Sequence, residues 1–139
     1  MGRVRQMKKW VLILLALSVL GFGAYVYFYN GISNIERMKI QAYNHKTESY
    51  DQGKVLTDQY SIKIFTKSLN RARHEKNTIY EMANHEDYLV TVTYEDGGTD
   101  EFRVWESSGR YTHIIRAGEG DNFKISGDRN REKLIKLLK

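Results

Sequence analysis

Residues 87–105 read DYLVTVTYEDGGTDEFRVW, and this stretch decides the fold. Tyr88, Val90, Val92 and Tyr94 occupy alternate positions, as do Phe102 and Val104 after the turn. A strand sends successive side chains to opposite faces, so a period of two predicts a hairpin with one apolar face. Asp96-Gly97-Gly98 reads as a three-residue loop, with glycine where the backbone needs positive φ. That loop pairs Glu95 with Thr99, Val92 with Phe102 and Val90 with Val104, apolar against apolar. A two-residue loop at Asp96-Gly97 sets Val92 against Glu101 and is rejected. The opposite face then carries Leu89 against Trp105 as a second apolar patch.

Upstream of the hairpin, Ile62, Phe65, Leu69 and Ala72 recur at helical spacing, with Ile64 widening the stripe. They predict an amphipathic helix from about Gln59 to His74, capped by Asp58 or Thr57. Lys63, Lys67, Asn70 and Arg71 face away from the stripe as a solvated side, and Arg71, Arg73 and His74 suit the helix C-terminus. Further upstream, Ile35–Tyr43 alternates as a first strand, and Asn44–Gly53 is polar and turn-rich. Thr78–Met82 reads as a short strand, Tyr111–Arg116 as another, Glu119–Asn122 as a turn and Phe123–Ser126 as a last strand. Asp128 is placed to cap a short C-terminal helix with Leu134, Ile135 and Leu138 on one face. The order predicts an α+β fold: an antiparallel sheet, one amphipathic helix on a face, and the C-terminal helix.

The first 29 residues stand apart, leaving 110 for a polar linker at 30–34 and one domain of residues 35–139. The net charge of +5 is uneven. Arg3, Arg5, Lys8 and Lys9 precede the first acid, Glu36, and the rest holds 18 basic against 17 acidic residues. A nucleic-acid footprint needs basic residues gathered on one face of the domain, so the expectation is no nucleic-acid partner. With no cysteine, disulfides, thiolate metal sites, a catalytic thiol and a lipidated cysteine anchor are excluded.

Residues 10–29 contain no charge, and about 20 apolar residues match a hydrocarbon core of roughly 30 Å. Trp10 at one end and Tyr25, Tyr27 and Tyr29 at the other resemble interfacial aromatic belts. The run predicts a single transmembrane helix. The basic tail of residues 1–9 stays in the cytoplasm, and the domain lies outside the cell membrane. The rival reading is a signal peptide cleaved after Gly23, and the apolar run through Val26 and Phe28 favours the anchor. Both readings export the domain.

Motifs that carry chemistry are scarce. His45, His74, His85 and His113 show no metal-ligand spacing, and no metal or cofactor is expected. Glu95/Asp96 and Asp100/Glu101 sit at a hairpin tip, where carboxylates serve as solubilising charges. Gly118-Glu119-Gly120 lacks the rest of a phosphate loop, and Ser107-Ser108-Gly109 lacks a nucleophile motif. The aromatic residues stand out, and Tyr80, Leu89, Trp105 and Tyr111 form a candidate interaction patch.

Asp58 before IKIFTKSLNRA (62–72), then DYLVTVTYEDG (87–97), FRVW (102–105), FKIS (123–126) and REKLIKLL (131–138) carry a resemblance. Together they resemble the YhfM-like domain of small envelope proteins of Bacillus-type bacteria. The lipobox cysteine frequent in that family is replaced here by the apolar span. The resemblance brings no activity and no functional residue with it. The expected function is therefore a non-catalytic, membrane-anchored interaction or accessory module, with an envelope protein or wall component as partner. The alternative is an envelope hydrolase or small-ligand binder that brings carboxylates, or His85 and His113, together.

Overall fold

The computed structural model describes residues 2–28, 31–78, 80–118 and 120–139; the side chains of 2–4 and 23–28 lie outside that description. Two compact units separate at residue 30. The first contains one helix, α1 (Gly2–Phe28), whose apolar side chains from Met7 to Phe22 are exposed. Among the described residues, no helix is long and apolar enough to cross a membrane. Tyr29, where the predicted span ends, and the Tyr25 and Tyr27 side chains lie outside the described residues.

The second unit is α+β with an antiparallel sheet, as its alternating pattern predicts. In chain order it runs β1 (Ile35–Asn44), β2 (Ser49–Tyr50), β3 (Lys54–Leu56), α2 (Gln59–Arg71), β4 (Arg73–Glu75), β5 (Tyr88–Tyr94), β6 (Thr99–Ser108), β7 (Tyr111–Arg116), β8 (Asp121–Ile125) and α3 (Asp128–Leu138). The strand order is β2-β1-β5-β6-β7-β8-β4, and β3 also pairs with β1. Met38, Ile40, Val90, Val92, Phe102, Val104, Ile114 and Phe123 are fully or almost fully buried on one face. Phe65 and Leu69 of α2 and Leu134 of α3 join them in one core, with Phe65 edge-on to Phe102 at 5.6 Å.

The hairpin register differs from the expectation by two residues. Val90 faces Phe102, Tyr88 faces Val104 and Val92 faces Asp100. The loop is Glu95-Asp96-Gly97, one residue earlier than predicted. Tyr94 N–H donates to Gly98 O at 2.8 Å, and Gly97 N–H donates to Tyr94 O at 2.9 Å. Gly97 holds φ 89°, the left-handed third position that this loop class requires. A shift of two preserves the faces, which is why the apolar pattern alone does not detect it. It does move Trp105 away from Leu89: Leu89 lies opposite Arg103, and Trp105 opposite His113.

The helix predicted to reach His74 stops at Arg71. Ala72 is extended (φ −70°, ψ 156°), and Arg73–Glu75 becomes an edge strand paired with Asn122–Lys124. Within the supposed loop Asn44–Gly53, Ser49–Tyr50 pairs with β1, and Lys54–Leu56 just after it does the same. Asp58 caps α2 as expected, accepting from Ser61 N–H at 2.9 Å. α3 differs: Gly127, at φ 88°, is its N-cap, and Asp128 lies in the first turn without a side-chain cap. Of the predicted Thr78–Met82 strand, Thr78 and Tyr80–Met82 are not strand, and Ile79 lies outside the described residues, as does Glu119 of the predicted turn.

Residues 76–87 must carry the chain from β4 at one edge to β5, past β8, β7 and β6. The described ones, 76–78 and 80–87, form a strap over the sheet face away from the helices. Thr78 O accepts from Asn122 Nδ2 at 2.6 Å, and Asn84 O accepts from Trp105 Nε1 at 2.8 Å.

Candidate functional site

The strongest chemical feature lies on the helical side. α2 buries Ile62, Phe65 and Leu69, so Lys63, Lys67 and Arg71, four residues apart, fall on its outer side. α3 packs beside α2 and contributes Lys133, and β8 closes the end with Ile125. Between them runs a groove of about 340 Å³, floored by Ile64, Ala72 and Ile125, with Tyr60 at its rim. That space far exceeds the roughly 30 Å³ share of one water molecule, so it accepts more than a single small ion.

The residues around the groove include six that are basic and none that is acidic. Two of the six are already engaged. Lys124 Nζ lies 3.5 Å from Glu75 and donates to Tyr80 Oη at 3.1 Å, which raises its pKa, and Arg73 lies 3.8 Å from the same carboxylate. Among the described residues, Lys63, Lys67, Arg71 and Lys133 have no carboxylate partner. The Lys63 ammonium lowers the pKa of Lys67, and desolvation, Arg71 and Lys133 act in the same direction. Like charges at i, i+4 destabilise a helix by about 0.2–0.5 kcal/mol per pair, and Lys63, Lys67 and Arg71 form two such pairs in series. A bound anion relieves both.

The residues proposed as an aromatic patch occupy the other sheet face. Tyr80, Trp105 and Tyr111 gather around His113, whereas Leu89 sits between Gln41 and Arg103. Tyr80 is edge-on to His113 at 5.0 Å, and Lys124 Nζ lies over the rings of Tyr80 at 4.8 Å and Tyr111 at 6.0 Å. Trp105 is 9% exposed, held under the strap through Asn84. Burial lowers the pKa of His113, whose Nε2 meets Asn122 Oδ1 at 3.1 Å. A hollow of about 320 Å³ opens beside Tyr80, Tyr111 and His113.

His85 belongs to a different cluster from His113. Its ring stacks on Tyr43 at 3.6 Å, and its Nδ1 lies 2.9 Å from the buried carboxylate of Glu86. Tyr50 Oη donates to Glu86, and burial, with that hydrogen bond second, pushes the Tyr50 pKa up to about 12. His45 pairs with Asp87 at 2.8 Å, and Asp87 also accepts from Glu106 N–H at 2.8 Å. These contacts fasten β2 and the end of the strap to the sheet. Among the described residues, no three His, Asp or Glu side chains are placed to hold a metal ion. Asp100 is not a solvated tip residue: its carboxylate meets Arg116 at 2.5 Å and Tyr94 Oη at 2.6 Å.

Sequence reading placed Lys63, Lys67 and Arg71 correctly on the outer side of α2 and took that side as merely solvated. The missing information was Lys133, 62 positions beyond Arg71, which only packing of α3 brings to the same groove. The i, i+4 run of cations without an interleaved acid was the available signal. No family model, no curated protein and no solved structure matches the chain.

Proposed function

We propose that this chain is a membrane-tethered, non-catalytic binding module, carried on the outer side of the cell membrane, that holds an anionic partner in the α2–α3 groove. One observation carries the binding reading: Lys63, Lys67, Arg71 and Lys133 surround a groove that no acidic residue lines. Cations kept together against their mutual repulsion form an electrostatic trap for a negative ligand. The tether is supported by the uncharged apolar run of residues 10–29, by the four basic residues before it, and by the exposed apolar side chains of α1. A helix that is apolar around its whole circumference needs a cover.

Two measurements test the two parts. Inorganic pyrophosphate is expected to raise the unfolding midpoint of the wild-type chain and to leave Lys67→Glu unchanged. An equal rise in both proteins removes the groove as the binding site. A single cysteine placed at Ser107 is unique in a chain without cysteine. Its labelling on intact cells by a membrane-impermeant maleimide supports the outward topology, and labelling only after lysis overturns it.

A further inference from the structure

We infer that the α2–α3 groove takes the phosphodiester headgroups of anionic lipids in the membrane that holds the chain. This rests on the tethered, anion-binding reading above and deepens it by naming the ligand class.

The first ground is covalent reach. Ile32 is pinned to α2: its N–H donates to Asn70 Oδ1 at 3.1 Å, and its carbonyl accepts from Asn70 Nδ2 at 2.8 Å. Only Asn30 and Gly31 separate it from Tyr29, where the predicted apolar span ends. Three residue steps span at most about 11 Å of extended chain. Asn70 sits between Lys67 and Arg71 in sequence, on the same helix as three of the groove cations. In the tethered reading the chain therefore enters the domain at the Ile32–Asn70 contact, on the helix that carries the groove.

The second ground is the lining. A phosphodiester headgroup is an anion with an apolar side, and the groove offers cations above Ile64, Ala72 and Ile125. Lysine stems cover apolar surface while their ammonium groups reach for charge. Tyr60, 76% exposed at the rim, is an aromatic residue of the kind enriched at lipid–water interfaces. Beyond the groove α3 carries Arg129 and Lys136 beside Lys133, with one acid, Glu132, among them.

The test is lysine acetylation of the full-length chain in vesicles, read peptide by peptide by mass spectrometry. The vesicles are phosphatidylcholine alone or phosphatidylcholine mixed with phosphatidylglycerol. Lys63, Lys67 and Lys133 are expected to react about fivefold more slowly in the mixed vesicles at low salt. Lys46, in the turn between β1 and β2, serves as the internal control and keeps its rate. Protection of Lys133 is expected to weaken in Lys63→Gln/Lys67→Gln, whose substitutions lie on the outer side of α2. Equal rates in both vesicles overturn the lipid assignment. Protection by soluble poly(glycerol phosphate) and not by phosphatidylglycerol keeps the anion-binding reading and rejects the lipid as its source. A chain stripped from vesicles by alkaline carbonate shows that the tether is wrong, and the inference falls with it.

Discussion

Ile32 and Asn70 hold each other twice, backbone N–H to Oδ1 at 3.1 Å and Nδ2 to backbone carbonyl at 2.8 Å, across 38 positions of sequence. One side-chain amide satisfies both peptide groups of a residue that is itself 1% exposed. This fixes where the chain enters the domain and fastens it to the helix that carries the groove. Asn70→Ala leaves both Ile32 groups without these partners, and a loss of about 1–3 kcal/mol is expected. Urea unfolding of the full-length chain in detergent, followed by circular dichroism, measures it. A change within a few tenths of a kcal/mol shows that water replaces the amide at no cost.

Lys67→Gln separates stability from binding. Without ligand and at low salt the substitution removes two i, i+4 repulsions, and a gain of about 0.4–1 kcal/mol is expected. The same change weakens pyrophosphate binding, and the gain fades in high salt as screening removes the repulsion. A variant that is less stable and binds normally places Lys67 outside the anion site.

Trp105 is a structural side chain in this fold. Its indole donates to Asn84 O at 2.8 Å beneath the strap, and Trp105→Ala is expected to cost about 3–5 kcal/mol. Thermal unfolding checks this. Tyr111→Ala, at a half-buried position beside Lys124, is expected to cost much less. Equal small effects return Trp105 to the candidate interaction surface.

Much of the architecture was legible because Tyr88–Tyr94 and Phe102–Val104 alternate, and Ile62, Phe65 and Leu69 repeat at helical spacing. What escaped were features set at a distance. Arg73–Glu75 carries no strand pattern and becomes one only because β8 offers an unpaired edge. The hairpin slipped by two because Gly97 is required at the left-handed loop position, a demand that either glycine of the pair meets on paper. Asp100 looked like a surface acid because its partner Arg116 lies 16 positions away. The groove was half visible. α2 displayed its cations, and α3 supplied the opposing wall.

Two groups contribute to the pH dependence of stability with opposite sign. His113 has a folded pKa below its ordinary value because it is buried. The unfolded chain takes up that proton first, so stability falls as pH drops below about 6.5 and through the folded value. Tyr50, raised to about 12, has the opposite sign. Its contribution is fully present below about pH 10 and is lost as pH rises through the folded value. Unfolding midpoints across pH check both: His113→Gln is expected to flatten the acid limb and Tyr50→Phe the alkaline limb. Unchanged limbs in these variants assign the pH dependence to other groups.

The most direct test is to map pyrophosphate binding onto the full-length chain in detergent by backbone amide chemical shifts, with the binding isotherm repeated at rising salt. A cationic groove requires the shifts to cluster on α2 from Lys63 to Arg71 and around Lys133, with affinity falling steeply as salt rises. Shifts confined to Tyr80, Tyr111 and His113, or none at all, contradict it and leave the α2–α3 cations as a solvated surface.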